Sequence, residues 1–253
     1  MNVTSRASVT LSVVSHLQGS LVADLLADLA NFKEVARVVL TYNQPEPDVC
    51  IPDALVGRVV VVRNLNPLGF GANHNQAFSY CETPYFCVIN PDIRTLANPF
   101  PALIKQFEDA GVALCAPAVV NPDGGLEDSA REFPTPLRLV FKALGGSDGR
   151  YHYVLGQPPF SPNWLGGMFL LVRSSSFKRV GGFDEAFFLY YEDVDLCVRL
   201  RKENLSILLV PACNVVHAAR RSSHRNYRYL RWHLMSMLRF FVKHAGRLPR
   251  SIG

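Results

Sequence analysis

The sequence lacks several features that mark common protein classes. No hydrophobic run approaches the roughly 18 to 20 apolar residues that a membrane-spanning helix needs. No G-x-G-x-x-G or G-x-x-x-x-G-K-[S/T] loop is present, and we find no internal repeat or low-complexity block. These absences exclude the usual dinucleotide-binding and P-loop phosphate sites, and also a repeat architecture.

Paired cysteine motifs are also missing. The six cysteines are scattered, form no C-x-x-C pair and lie mostly in apolar runs such as "YFCVIN" and "VALCAP". We therefore expect free, buried thiols in a reducing cytosol. The segment "MNVTSRASVTLSVVSHLQ" has one arginine and no long apolar stretch, so it predicts a first strand and not a signal peptide. We expect a cytoplasmic protein.

Acidic residues are absent from residues 218–253, which hold nine of the 26 Lys and Arg residues. The rest of the chain is mildly acidic, so the charge is asymmetric and indicates an anionic partner. Read as a helix, this basic tail is amphipathic. It could contact an anionic membrane surface, which would make the protein peripheral on the inner face of the membrane, or pack on the domain. Nucleic-acid binding by base stacking is the least favoured interpretation.

Short β-branched runs alternate with helical patterns along the first half of the chain. The order β-α-β-β-α-β-α-β predicts an α/β fold, with a Rossmann-like, mostly parallel central sheet flanked by helices. The irregular stretch 121–163 is broken by the apolar patch "LRLVFKALG". A strand at 166–173, helices at 174–182 and 192–204, and a late strand at 205–211 follow.

Polar residues follow each of the first four predicted strands. Ligands of open α/β sheets bind at the carboxyl ends of the strands, so these residues should line one edge. They are Ser15 and His16, then Thr41 and Asn43, then Asn64, and finally Asn90 and Asp92.

Two residues, Asp92 and His217, are each either a metal ligand or an ordinary structural residue. Asp92, in "CVINPDI", is a lone carboxylate at a strand end, which suits Mg²⁺ or Mn²⁺ bound jointly with substrate phosphates. Asn-Pro-Asp is equally a common turn sequence. His217 ends a second apolar run, where it is either a structural residue or a further metal ligand.

The stretch "FFLYYEDVDLCVRL" places three carboxylates in the first turn of a predicted helix. The helix dipole favours carboxylates there, and Arg199 can pair with Asp195 four residues earlier. Glu192 could help to cap the helix. Asp193 lies about 100° around the helix from Glu192, so it is free for chemistry if that side faces the sheet edge. The spacing alone fits structural and chemical roles equally well.

Three motifs in order resemble those of a known family. "NPLGFGANHNQAF", "INPDI" and "GGMFLLVRSSSFKRVGGFDEAFFLYYEDVDLCVRLRKENLSILLVPACNVVH" are similar to motifs of the family-2 inverting glycosyltransferases of GT-A fold. The similarity is greatest to the rhamnosyltransferase-like branch and covers roughly residues 8–217. It implies one GT-A domain at 1–217, with a nucleotide-binding half at about 1–98, an acceptor and catalytic half at about 99–217, and the tail 218–253.

The resemblance also implies a role for individual residues. Asp92 and His217 would hold the divalent cation, Mg²⁺ or Mn²⁺, on the donor diphosphate, and Asp193 would be the catalytic base. The sugar and acceptor would lie against Trp164, Gly166, Gly167 and Glu192. The loop beside the nucleotide would include Gly69, Asn73 and Asn75.

Some positions depart from the family pattern. Ser15-His16-Leu17 stands where many relatives have Thr-Tyr-Asn, "TYN" stands in place of an Asp-Asn pair, and Asn90 replaces the first acid of the metal motif. The nucleotide base is therefore left open.

The expected activity is inverting transfer of a sugar from a nucleotide-diphosphate donor, with dTDP-rhamnose as the first guess. The acceptor would be a hydroxyl of a saccharide or a polyprenyl-linked saccharide in cell-surface polysaccharide synthesis. The alternatives are a non-catalytic nucleotide-sugar-binding module and a nucleotidyltransferase. The second is disfavoured because no Gly-rich, Lys- or Arg-bearing loop follows the first strand.

Overall fold

A computed structural model describes residues 8–218 and 227–249 of the chain. Its core is an eight-stranded sheet with the strand order β3-β2-β1-β4-β9-β6-β10-β5, and β7 and β8 form a separate two-stranded sheet. The strands are β1 (Val9–Ser15), β2 (Val35–Tyr42), β3 (Val59–Arg63), β4 (Tyr85–Ile89), β5 (Ile93–Arg94), β6 (Val112–Val120), β7 (Ala130–Arg131), β8 (Trp164–Leu165), β9 (Phe169–Arg173) and β10 (Ser206–His217). The helices are α1 (Gly19–Leu29), α2 (Phe70–Phe78), α3 (Phe100–Gln106), α4 (Pro136–Ala143), α5 (Ser174–Arg179), α6 (Glu192–Lys202) and α7 (Tyr227–His244), and a 3₁₀ turn covers Asp53–Leu55.

The prediction of a mostly parallel α/β sheet is confirmed. Strands β3, β2, β1 and β4 run parallel, and β10 runs parallel to β6. Two strands run the other way: β9 lies antiparallel between β4 and β6, and β5 pairs antiparallel with the end of β10. The antiparallel β9 brings the residues before it to the same edge as the residues after β4.

The central strands are buried on both faces. In β4, Cys87 and Ile89 belong to the hydrophobic cluster on one side of the sheet, and Phe86 and Val88 belong to the cluster on the other. This two-sided burial explains why the strand reads as a continuous apolar run without alternation.

Some element boundaries differ from the sequence prediction. The structure also contains the short helix α3, which ends at Gln106, since the chain leaves helical geometry at Phe107. The patch "LRLVFKALG" forms α4, where Thr135 accepts a hydrogen bond from the Arg138 N–H and so caps the helix. The late strand continues from Ser206 to His217 as one strand, with a register shift between Val210 and Asn214.

The described part of the basic tail, residues 227–249, contains α7, which packs on the rest of the protein. Phe240 is fully buried, and Ser236 donates a hydrogen bond to the Leu189 carbonyl. The opposite ridge, Leu230, Leu234, Leu238 and Val242, is exposed. Among the described residues, no helix has the length and apolar content to cross a membrane.

Asp195 joins α7 to α6. Its buried carboxylate receives hydrogen bonds from Arg199 at 2.6 Å and from His244 at 2.8 Å, and it forms an ion pair with Lys243 at 2.6 Å. Burial would raise the pKa of Asp195, but these partners together lower it to about 2. Arg199 therefore pairs with Asp195, as the spacing predicted.

Candidate functional site

Asp92 and His217 come together because β5 follows Asp92 directly and pairs with the end of β10, where Ile93 lies opposite His217. The His217 Nε2 atom lies 3.2 Å from one Asp92 carboxylate oxygen. Its Nδ1 atom lies 2.6 Å from a Glu127 oxygen. The other Asp92 oxygen, Oδ1, is buried and has no hydrogen-bond partner within the described part of the chain.

Two carboxylates determine the charge on the His217 ring. Burial alone would lower its pKa, but the hydrogen bonds and charges of Asp92 and Glu127 raise it to about 9. Glu127 was missed by sequence analysis. It lies in the irregular stretch "NPDGGLEDSAREF", where no spacing relates it to a strand end.

The donor set at Asp92 fits a cation that takes most of its ligands from substrate. Within residues 8–218 and 227–249, no group of three or more His, Cys, Asp or Glu side chains is arranged to hold a metal ion. Mg²⁺ commonly binds one or two protein carboxylates and completes its shell with phosphate oxygens and water. The unpartnered Oδ1 of Asp92 suits that role, and His217 can join it once its ring loses a proton.

Asp193 lies in the first turn of α6 after a tight turn, in which Tyr190 and Tyr191 adopt positive φ angles of 70° and 68°. The Asp193 Oδ2 atom accepts a hydrogen bond from the Gly167 N–H at 2.9 Å, and Oδ1 accepts one from the Val194 N–H at 2.8 Å. In the described part of the chain, no arginine or lysine forms an ion pair with Asp193. Its carboxylate is therefore fixed by backbone donors and not neutralised.

The two carboxylates at the start of α6 have raised pKa values. Burial raises the pKa of Asp193, although its backbone hydrogen bonds oppose the shift. Burial and the nearby Asp193 charge raise the pKa of Glu192 well above its ordinary value, and Glu192 Oε2 has no partner among the described residues. Adjacent buried carboxyl groups with raised pKa values are typical of a functional site.

Asp193 faces a cavity of ≈ 670 Å³. The walls include Glu192, Trp164, Tyr190 and Tyr191, and further residues come from α4. The cavity therefore combines aromatic surface, suited to the face of a sugar ring, with a carboxylate of raised pKa.

Trp164, Gly166 and Gly167 lie on or beside β8, next to the cavity. The Trp164 indole N–H donates to the Glu132 carbonyl at 3.0 Å. A Cβ atom at Gly167 would lie 3.2 Å from the Phe70 ring and 3.6 Å from Asp193 Oδ2. The Phe70 ring would therefore have to shift by a few tenths of an ångström to admit a side chain at Gly167, whereas the contact with Asp193 would be an ordinary one.

A network of asparagines holds the loop before α2. Asn64 donates to Asn43 Oδ1 at 2.9 Å and to Asn73 Oδ1 at 2.7 Å. Asn43 Oδ1 also accepts from the Leu68 N–H, and Asn73 donates to the Gly69 carbonyl. Four predicted donor-site residues, the three asparagines and Gly69, thus form one connected group at the edge of the sheet.

Gly69 brings this loop against the segment before α6. The Phe70 N–H donates to the Phe188 carbonyl at 2.9 Å, and a Cβ atom at Gly69 would lie 2.6 Å from the Phe188 oxygen. Asn75 bonds the Phe183 backbone through both its amide nitrogen and its oxygen, at 2.9 Å each. Its amide therefore ties α2 to residues 183–188.

The remaining predicted residues lie at the ends of their strands. Ser15 donates to Glu46, a residue that sequence analysis missed, at 2.9 Å. His16 is exposed beside Asn43 and Gln44. The buried hydroxyl of Thr41 has no partner among the described residues.

Backbone hydrogen bonds connect the segment that holds Asp92 to the segment that holds Asp193. Asn90, two residues before Asp92, donates its N–H to the carbonyl of Met168, the residue after Gly167, at 2.9 Å. Gly167 in turn bonds Asp193. The predicted metal ligand and the predicted base thus lie on segments joined by backbone hydrogen bonds.

No protein-family model matches the chain. The chain is 30% identical over 188 residues to the rhamnosyltransferase WbbL of Escherichia coli K12, an alignment that covers 69% of this chain and 70% of WbbL. It is 35% identical over 150 residues to the N-acetylglucosaminyl-diphospho-decaprenol L-rhamnosyltransferase of Mycobacterium tuberculosis H37Rv. That alignment covers 55% of this chain and 48% of the relative, so the chain spans about half the length of the mycobacterial protein.

Solved structures of glycosyltransferases share the fold. GalNAc-T7 with UDP, GalNAc and Mn²⁺ aligns with a TM-score of 0.68 at 14% identity, over 94% of this chain and 48% of that one. The mannosyltransferase PcManGT of Pyrobaculum calidifontis, in complex with GDP-Man and Mn²⁺, aligns with a TM-score of 0.65 at 16% identity, over 97% and 67%. The sequence and fold matches agree, and the chain belongs to the rhamnosyltransferase-like branch of the family-2 glycosyltransferases of GT-A fold.

Proposed function

We propose that the protein transfers a sugar, with rhamnose as the first candidate, from a nucleotide-diphosphate donor to an acceptor hydroxyl with inversion at the anomeric carbon. The observation that carries this proposal is the state of Asp193. Its carboxylate lies at a cavity, is held by two backbone N–H groups, has a raised pKa and forms no ion pair with a described cation. Those are the properties of a general base.

The reaction follows from that placement. Asp193 takes the proton of the acceptor hydroxyl as its oxygen attacks the anomeric carbon. The bond from that carbon to the diphosphate oxygen breaks on the opposite face, and the nucleoside diphosphate leaves. One displacement of this kind inverts the configuration.

Asp92 and His217 are the residues that would hold a divalent cation, Mg²⁺ or Mn²⁺. Such a cation, when bound, neutralises negative charge on the leaving diphosphate. Support comes from the unpartnered Asp92 oxygen and from the Mn²⁺ in the two structural neighbours.

The acceptor we propose is a saccharide carried on a polyprenyl diphosphate, at the inner face of the membrane. The mycobacterial relative's name specifies a diphospho-decaprenol acceptor. In this chain, α7 exposes four apolar residues on one ridge, and the segment 218–253 carries nine basic residues and no acidic residue. An amphipathic basic helix of this kind suits contact with anionic headgroups.

A thermal-shift screen of nucleotide-sugars with Mn²⁺ or Mg²⁺ tests the donor, because binding to the native state raises its melting temperature. We expect dTDP-rhamnose to give the largest shift. NMR of the product tests the stereochemistry, and retention of the donor's anomeric configuration would contradict the mechanism. Co-sedimentation with anionic vesicles, with and without residues 218–253, tests membrane contact.

A further inference from the structure

Helix α4 has an apolar face that none of the described residues covers. Leu137, Val140, Phe141 and Leu144 follow the i, i+3, i+4, i+7 spacing that puts them on one side of a helix. Their exposed fractions are 78%, 57%, 58% and 80%, and α4 buries none of its residues. A contiguous exposed apolar surface of this kind marks an interaction site.

This face continues into the catalytic cavity. Leu137 and Phe141 line the same cavity as Asp193. The Phe141 ring lies against Gly146, where a Cβ atom would overlap it. A ligand seated at Asp193 and extending outward would therefore pass along α4.

The cavity also receives two cations from α4. Arg138 and Lys142 lie one helical turn apart and both line the cavity. Arg138 is paired with Glu132. Lys142 is exposed, and no carboxylate of residues 8–218 or 227–249 lies within ion-pair distance of it. Asp148, the nearby acid, is paired with Arg150. Lys142 is thus available to an external anion.

A lipid-linked saccharide would use all of these groups together. A free saccharide would leave the apolar face of α4 exposed, and a soluble anion would use Lys142 alone. An amphiphile with a sugar, an anionic linkage and a hydrocarbon chain in that order would use Asp193, then Lys142, and then the apolar face.

We propose that α4 binds the polyprenyl diphosphate of the acceptor, with Lys142 at the diphosphate and with Leu137, Phe141 and Leu144 along the first isoprenoid units. This inference rests on the proposed function, because it assigns the lipid part of the same acceptor. It makes α4 the element that distinguishes a lipid-linked saccharide from a free one.

A binding experiment tests the site without sugar transfer. Farnesyl diphosphate is titrated into the full chain in EDTA, which removes divalent metal from the donor site. We expect binding that is tighter than that of inorganic pyrophosphate. Lys142→Ala and Phe141→Ser should each weaken it about tenfold, the size expected for one charge-assisted contact or one apolar side chain. Val56→Ser, at another exposed apolar residue, is the matched control and should bind as the wild type does.

The outcomes separate this proposal from its rivals. Absence of farnesyl diphosphate binding, or wild-type affinity in both α4 variants, would refute it. Loss of binding in Leu238→Ser, with α4 variants unaffected, would assign the lipid to α7 instead. Melting temperatures near the wild-type value show that these surface variants are folded.

A kinetic experiment links the site to activity. Lys142→Ala should raise the KM for a lipid-diphosphate acceptor about tenfold more than it raises the KM for an alkyl glycoside of the same saccharide. Equal effects on both acceptors would contradict the proposal. If farnesyl diphosphate binds as expected but no nucleotide-sugar supports transfer, the proposed function fails and the α4 site stands.

Discussion

Replacing Asp193 by asparagine removes the proposed proton acceptor and keeps the shape of the side chain. Loss of a general base costs on the order of 10² to 10⁴ in rate, which corresponds to about 3 to 5 kcal/mol of activation free energy. Donor affinity should not change, because Asp193 is proposed to act on the acceptor hydroxyl. We therefore expect kcat to fall by at least about a hundredfold at unchanged donor Kd.

The structure also predicts what Asp193→Asn costs in stability. The two carboxylate oxygens accept the Gly167 and Val194 N–H groups, and asparagine has one oxygen for two donors. One backbone N–H is left unsatisfied, at a cost of about 1 to 3 kcal/mol, so the variant should remain folded. Initial rates of nucleoside-diphosphate release measure kcat, and calorimetry measures the melting temperature. A folded variant with the wild-type rate would refute the assignment of Asp193 as base.

Asp195→Asn is the matched control on the same helix. Asp195 is paired with Arg199, Lys243 and His244, which lower its pKa from 3.8 to about 2. This shift contributes about 2 kcal/mol to the free energy of unfolding. The contribution is present above pH 3.8 and is lost as the pH falls toward 2. We expect Asp195→Asn to lower the melting temperature at neutral pH and to leave kcat unchanged. If kcat fell as far as in Asp193→Asn, the loss of activity would reflect damage to helix α6 and not removal of the base.

Three further predictions concern buried groups near the site. Burial raises the pKa of Glu192, so ionisation of this side chain destabilises the folded protein as the pH rises above 4.5. Glu192→Gln should therefore raise the melting temperature above pH 4.5 and leave it unchanged below that pH. Burial lowers the pKa of His74 to about 3, so wild-type unfolding free energy should fall as the pH drops below 6.5, by up to about 1.4 kcal/mol per pH unit. His74→Gln should flatten that dependence in urea titrations, and an unchanged slope would contradict the burial argument. Gly69→Ala should destabilise the protein by about 1 to 3 kcal/mol, because the new Cβ meets the Phe188 backbone, and a melting curve that matches the wild type would show that the loop yields freely.

Local sequence patterns predicted most of the strands of the sheet but not the direction of every strand. Short apolar and β-branched runs identified strands such as β1 and β4. Strand β9 reads as the same kind of apolar run, and nothing within Phe169–Arg173 indicates that it is antiparallel. Strand direction depends on which partners the chain meets, so short-range pattern cannot supply it.

The candidate site was predictable where a residue follows a strand or begins a helix. Asp92, His217 and Asp193 became candidates in that way, and the family resemblance supplied the role of each. Glu127 and Glu46 were not, because both lie in irregular segments whose path only the folded chain determines. Helix α4 was read as an apolar patch in a loop, although its apolar residues have helical spacing, because the segments on both sides are rich in Gly, Pro and polar residues.

The central place of β9 has a consequence for how the chain folds. Strands β4 and β6 are complete by residue 120, yet each pairs with β9. The edge of β4 that begins at Tyr85 therefore has no partner until the chain has reached Arg173. Until the ribosome has released that stretch, two apolar strands keep unpaired backbone edges, which are open to association with other chains. Sequence-distant pairing of this kind also slows folding. The same insertion that places Gly167 beside Asp193 therefore delays the joining of β4 to β6 through β9 until about two thirds of the chain has been synthesised, the fraction that Arg173 marks in a chain of 253 residues.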